Sequence, residues 1–181
     1  NVFKQIECFE KLAPGRGRAR SLKNGVVVFL SLEGLDYITC PEDLEDLLEK
    51  PVLSAGIMWN RSNALGGGAL EEGPLTRAGE GVIKRLEERG ILIDLAHACP
   101  RTFFDACEIA ARPFVSHANA WEIMPHPRNL RAGQIKLLIE RGGFLGLAAP
   151  LLDGDRVLMA YFAVAPEARG QGAGSLALAA L

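Results

Sequence analysis

The sequence predicts an α/β protein in which parallel strands carry helices packed outside them. Two observations point there. Short runs rich in Val, Ile and Leu alternate with helix-patterned stretches in the order β-α-β-α-β-α-β-α-β, joined by short turns. Two of those apolar runs also stop on an imidazole: "ILIDLAH" ends at His97 and "PFVSH" ends at His117. In a parallel array all strands point one way, so residues at their C-terminal ends gather on one face.

The elements follow in order. "GVVVFLSLEG" (Gly25 to Gly34) is a continuous apolar run, as expected of a strand buried on both faces. "PEDLEDLLEK" (Pro41 to Lys50) sets Leu44, Leu47 and Leu48 at helical spacing, with Pro41 placed to start the helix. "PVLSAGIMW" (Pro51 to Trp59) is a second, shorter strand, and "NRSNALGGGALEEG" (Asn60 to Gly73) has loop chemistry. "LTRAGEGVIKRLEERG" is an amphipathic helix that Thr76 can cap, with Val82, Ile83 and Leu86 on its buried face and Gly90 at its end. "ILIDLAH" is a strand, "PRTFFDACEIAA" (Pro100 to Ala111) a helix and "PFVSH" a strand. "RAGQIKLLIERG" (Arg131 to Gly142) is a helix and "GFLGLAA" (Gly143 to Ala149) a strand. The texture changes after Pro150: a polar turn at Asp153 to Asp155 precedes a strand over Val157 to Val164, a Gly-rich turn and a small-residue helix.

Composition narrows the function. Of the 181 residues 49% are hydrophobic, enough for a sizeable core, and the formal charge is -2. Such a balance gives no electrostatic footprint for nucleic acid or an anionic membrane. The cluster "GRGRAR" (Gly15 to Arg20) reads as a solvated loop. Cys8, Cys40, Cys99 and Cys107 form no CxxC pair and read as free thiols of a reducing compartment. No apolar run reaches membrane-spanning length and no signal peptide is visible, so a cytoplasmic location is expected, although the chain opens on Asn1 rather than Met.

Glu33, His97 and His117 each fall at the end of a predicted strand. One carboxylate and two imidazoles on converging strand ends are a metal-ligand set, because zinc favours nitrogen and oxygen donors with one position left open. The competing reading is three hydrogen-bonded structural residues. Asp94 lies three positions before His97, and strand alternation puts it on the opposite face, as a buried, paired structural residue. His126, between two prolines, reads as a surface residue. "PFVSH" is one residue short for its strand, and a one-residue slip would turn His117 aside.

The segments "LSLEG", "WNRSNALGGGA", "LTRAGEGVIKRL", "IDLAH", "SHANA" and "HPRNL" resemble, in order and spacing, bacterial members of the membrane dipeptidase family (renal dipeptidase-like, peptidase family M19). The resemblance runs from about Gly25 to Ala149. It implies a (β/α)8 TIM barrel holding two zinc ions, with Glu33 bridging the metals and His97 and His117 binding one of them. It implies that Arg128 in "HPRN" grips a substrate carboxylate and that Trp59 and Asn60 lie against the substrate. The implied activity is hydrolysis of dipeptides by a metal-activated water.

Departures from the family pattern set further expectations. The His-x-Asp pair that serves the second zinc occurs nowhere in the chain, and neither does the late "DFDG"-like Asp. About five βα units are present, and a TIM barrel usually needs at least about 200 residues. Residues 1–150 are therefore expected to be part of a barrel, without the two-metal mechanism from this chain alone. A non-catalytic remnant is the rival, and self-association that covers the open edges is an expectation. Residues 151–181 are expected to form a separate unit. "YFAVAPEARGQGAGSLALAAL" resembles the acetyl-CoA-binding motif of GNAT-family N-acetyltransferases. Arg169, Gly170, Gln171, Gly172, Ala173 and Gly174 match its pattern, which implies an acetyl-CoA-binding alternative.

Overall fold

A computed structural model describes residues 2–22, 27–153 and 156–163. The chain opens with helix α1 (Val2–Leu12) and a short strand β1 (Ala19–Ser21), followed by β2 (Val27–Glu33). A 3-10 turn (Pro41–Leu44) runs into α2 (Glu45–Leu48). Then β3 (Val52–Gly56), α3 (Arg77–Glu88), β4 (Leu92–Asp94), α4 (Pro100–Ile109), β5 (Val115–Ala118), α5 (Ala132–Glu140) and β6 (Leu145–Asp153) alternate, and β7 (Arg156–Ala163) follows.

From β2 to β6 the strands run parallel. Glu33 pairs with Gly56, Gly56 with Asp94, and Val115 with Leu145. A parallel bridge between Asp94 and Phe114 joins β4 to the start of β5. It is reinforced by Leu95 N–H donating to the Phe114 carbonyl (2.8 Å) and Phe114 N–H donating to that of Ile93 (3.0 Å). At the two edges β1 pairs antiparallel with β2, and β7 antiparallel with β6. The result is an arc of parallel strands whose C-terminal ends lie side by side.

The helices form where their sequences direct. Thr76 Oγ1 accepts from Gly79 N–H (3.1 Å), capping α3. Val82, Ile83 and Leu86 are all fully buried beneath it. Cys99 Sγ accepts from Thr102 N–H (3.5 Å) and Pro100 fills the first turn, so α4 starts on a thiol cap with a proline at the position that needs no donor. Phe103 on α4 is fully buried, a burial worth about 1.5–3 kcal/mol. One continuous core joins these helices to β3 and β4 through Val52, Ala55, Ile57, Met58 and Ile93.

Four expectations need correction. β2 is not buried on both faces: Val27 and Phe29, which share one face of the strand, are 58% and 54% exposed. The helix expected over Pro41 to Lys50 is a 3-10 turn with a single α turn. The strand expected to end at His97 stops at Asp94, where the chain turns. "GRGRAR" is not wholly solvated. Arg20 is buried, stacks on the Phe9 ring and donates to the carbonyls of Ala13 (2.6 Å) and Gly17 (3.0 Å). Arg18 donates to the Arg89 and Gly90 carbonyls at the end of α3. The arginines thus tie α1 and β1 to the helical layer.

β6 continues through position 150, where the sequence places a boundary, and ends at Asp153. The Gly-rich stretch Arg169 to Gly174 lies outside the described residues, as do Gly25 and Val26 at the start of the first expected strand. All four cysteines are free thiols, and among the described residues no helix is long and apolar enough to cross a membrane.

Candidate metal centre

Glu33 is the last residue of β2. The chain leaves it through Gly34 at φ +77°, a left-handed conformation that favours glycine and turns the backbone away at once. His97 sits three residues beyond β4 at φ +70°, the one positive φ among the described non-glycine residues. Such strain persists only where the surroundings over-determine it. Here they do. Asp94 Oδ1 accepts from Ala96 N–H and from Ser116 N–H, both at 2.9 Å, so one buried carboxylate fastens the end of β4 to β5. Burial pushes the Asp94 carboxyl above the usual carboxylate range, against the pull of its bonds to Ser116 and Ala96.

His117 lies in β5, where the ladder to β6 shifts register between Val115 and Ala118. Three steps along β5 there match two along β6. The slip expected to turn His117 aside does not: its Nε2 stands 3.1 Å from His97 Nε2 and 3.3 Å from Glu33 Oε1. His97 Nε2 stands 2.8 Å from the same Glu33 oxygen. Glu33, His97 and His117 each offer a ligand atom, and these lie within 4.8 Å of one another.

The far sides of both rings are also occupied. His97 Nδ1 lies 2.9 Å from Asn60 Oδ1, and His117 Nδ1 lies 2.8 Å from Ser116 Oγ. Asn60 comes from the loop after β3, and that loop closes only on glycine. A Cβ on Gly68 would sit 2.5 Å from the Trp59 carbonyl oxygen and closer still to that of Arg61. Asn63 braces the same loop, accepting from Leu65 N–H (2.8 Å) and Gly66 N–H (3.2 Å) while donating to the Ile57 carbonyl (3.0 Å).

A cation between these three atoms would satisfy all of them at once. Burial, and then the charge of Arg128, push His97 down to about 4 despite the opposing pull of Glu33, so its imidazole is neutral at pH 7. A neutral ring that donates from Nδ1 to Asn60 presents a lone pair at Nε2. The ligands of a tetrahedral zinc at its usual bond lengths stand about 3.3 Å apart. The donor types, their spacing and the capped outer nitrogens all fit zinc. His97 is 6% exposed and the Glu33 side chain 56%, so the centre opens to solvent on the Glu33 side.

The remaining candidates fall around this centre. The Trp59 ring is exposed, its centroid 6.1 Å from that of His97. Arg128 is half-buried beside His97. Burial lowers its pKa, and the charges of Glu33 and Asp94 oppose that shift. Its loop is held by Asn129, which accepts from Asn119 N–H (3.0 Å) and donates to the Met124 carbonyl (2.7 Å). Asp94 is buried and paired by backbone donors. His126 is exposed, accepting from Arg128 N–H (3.2 Å), and stands outside the cluster. Ser116 and Asn129 escaped the sequence reading; short polar residues beside stronger motifs carry no periodic signal.

An α/β fold with a carboxylate and two imidazoles converging at the ends of parallel strands defines a class of candidate metal-dependent hydrolases. Residues 12–155 match the model of the membrane dipeptidase family (peptidase family M19), and the chain belongs to that family. An uncharacterized protein of Acinetobacter calcoaceticus is 30% identical over 132 residues, covering 67% of this chain and 42% of its own. Among solved structures, the chain is similar to a metallo peptidase from Rhodobacter sphaeroides liganded with a phosphinate mimic of the dipeptide L-Ala-D-Ala (27% identity, TM-score 0.59). It is also similar to the M19 metallo peptidase dipeptidase AC (28% identity, TM-score 0.60). Each comparison covers 65% of this chain and 36% of the solved one. The chain therefore spans less than half the length of these relatives. The family match ends at residue 155 and gives the acetyl-CoA reading of the tail no support.

Proposed function

We propose that this chain carries the metal-binding part of a zinc-dependent dipeptidase, built on one arc of a (β/α)8 barrel. The observation that carries the reading is the convergence of Glu33 Oε1, His97 Nε2 and His117 Nε2 within 3.3 Å, on an arc of parallel strands. In this reading Glu33, His97 and His117 hold zinc. When bound, zinc supplies a Lewis acid that polarises a scissile carbonyl and lowers the pKa of a bound water.

The protein's own residues do the rest. Arg128, half-buried and positive, offers a planar fork of donors for the carboxylate of a dipeptide. Its partial burial strengthens that attraction and limits competition from water. Trp59 walls the open side next to His97, where it can pack on a substrate side chain. The structural neighbour's phosphinate mimic of L-Ala-D-Ala supports a dipeptide as the substrate class. The division of the chain near 150 is likewise part of the proposal, and limited proteolysis tests it.

The test is metal analysis of the purified chain after zinc loading. About one zinc per chain, lost in His97→Ala and in His117→Ala, supports the metal centre. No zinc in the wild type sinks it. A dipeptide panel with the loaded protein then reads activity, and loss in Arg128→Met through a raised KM supports the carboxylate role.

A further inference from the structure

Asn60 reaches the metal centre by its side chain alone. In its neutral form the His97 ring has one proton and two nitrogens, and an acceptor stands at each: Asn60 Oδ1 at 2.9 Å from Nδ1, and Glu33 Oε1 at 2.8 Å from Nε2. The two acceptors compete for that proton. If it sits on Nε2, the ring donates to Glu33 and has no lone pair for a cation. If it sits on Nδ1, the ring donates to Asn60 and Nε2 is free to ligate.

Asn60 is built to win this competition. Its backbone carbonyl accepts from Leu70 N–H (2.8 Å), and the close approach of Gly68 to the Trp59 carbonyl fixes the loop that carries it. Glu33, by contrast, is largely exposed, and water can satisfy its carboxylate. His117 meets the same need differently, through the hydroxyl of its neighbour Ser116.

We infer that Asn60 is a positioning residue whose side-chain carbonyl selects the Nδ1–H tautomer of His97 and so prepares Nε2 for a metal, rather than a residue that touches substrate. This rests on the metal-centre reading above. Removing such a partner typically costs 10–100-fold in metal affinity.

The test uses the full chain in four forms: wild type, Asn60→Leu, Asn60→Ala and Asn60→Asp, with His97→Ala as the control for the centre itself. Zinc affinity is read by competition with a chelator. The His97 tautomer is read in zinc-free protein by long-range proton–nitrogen NMR, which a merely structural role for Asn60 would not move. The expected result is Nδ1–H in wild type, a shift towards Nε2–H in Asn60→Leu and Asn60→Ala, and zinc binding weaker by about 10–100-fold in both. Asn60→Asp, which keeps an acceptor at the same place, should retain tautomer and affinity. Wild-type protein that binds zinc through His97 while both truncations bind equally tightly overturns the inference alone, as does Nε2–H in wild type. Wild-type protein that takes up no zinc, or binding indifferent to His97→Ala, overturns the metal centre and this inference with it.

Discussion

The Nε2 atoms of His97 and His117 stand 3.1 Å apart, and a single oxygen of Glu33 lies 2.8 and 3.3 Å from them. The three residues come from different strand ends, 64 and 20 positions apart along the chain. Zinc between them would tie three elements together in the folded state only. Ligand-linked stabilisation follows from mass action: free zinc at 100 times its Kd should stabilise the fold by about 2.7 kcal/mol. Thermal melts with and without zinc check this, and His97→Ala should abolish the shift.

Acidification acts on the same ring. The folded protein holds His97 near 4, whereas the unfolded imidazole titrates near its ordinary value of 6.5. A histidine with a lowered folded value contributes stability above pH 6.5 that is lost as pH falls towards 4, because the unfolded chain takes up a proton that the folded one refuses. Urea titrations in a metal chelator across this window should show wild type losing stability on acidification. The His97→Gln variant should lack this component of the loss, so the difference between the two proteins should change with pH in that direction.

Asp94 gives a prediction of opposite sign. Its carboxyl is raised by burial, so the stability it contributes below the ordinary carboxylate range is lost as pH rises through its folded value. Oδ1 nevertheless receives two backbone N–H groups, from Ala96 and Ser116. Asp94→Asn keeps that acceptor without a charge and should be at least as stable as wild type at pH 7. Asp94→Leu leaves both donors unpaired, at about 1–3 kcal/mol each. Chemical denaturation of the pair separates the two effects, and a variant order reversed from this one would remove the clamp from the account of the site.

Much of the architecture was legible because parallel strands and amphipathic helices write periodic signals. Val82, Ile83 and Leu86 mark the buried face of α3, and Thr76 marks its start. The grouping of Glu33, His97 and His117 was legible for a related reason: parallel strands bring like ends together, so position within a strand stands in for position in space. What stayed hidden is non-periodic. The buried Arg20 lies in a stretch, Gly15 to Arg20, whose glycines and charges imitate a solvated loop. The register shift in β5 beside His117 depends on pairing with β6, which no local pattern encodes. Asn60 was legible only as a family position; its hydrogen bond to His97 depends on a loop fold set by backbone approaches around Gly68.

That loop yields the last prediction. A methyl group at Gly68 would press on the Trp59 and Arg61 carbonyls, which are backbone atoms and cannot swing aside as a side-chain tip can. Gly68→Ala should therefore displace the segment carrying Trp59 and Asn60. Overpacking of this kind costs about 1–3 kcal/mol. The cost should be accompanied by weaker zinc binding, because Asn60 leaves His97. Gly133→Ala serves as the control: a Cβ there meets only the far end of the Phe104 ring at 4.0 Å. It lies inside α5, where alanine is the better helix former, and should be neutral or stabilising. Denaturation midpoints and zinc titrations on the two variants decide the matter. Gly68→Ala that matches wild type in both would show that the loop tolerates the displacement and that its closure does not place Asn60.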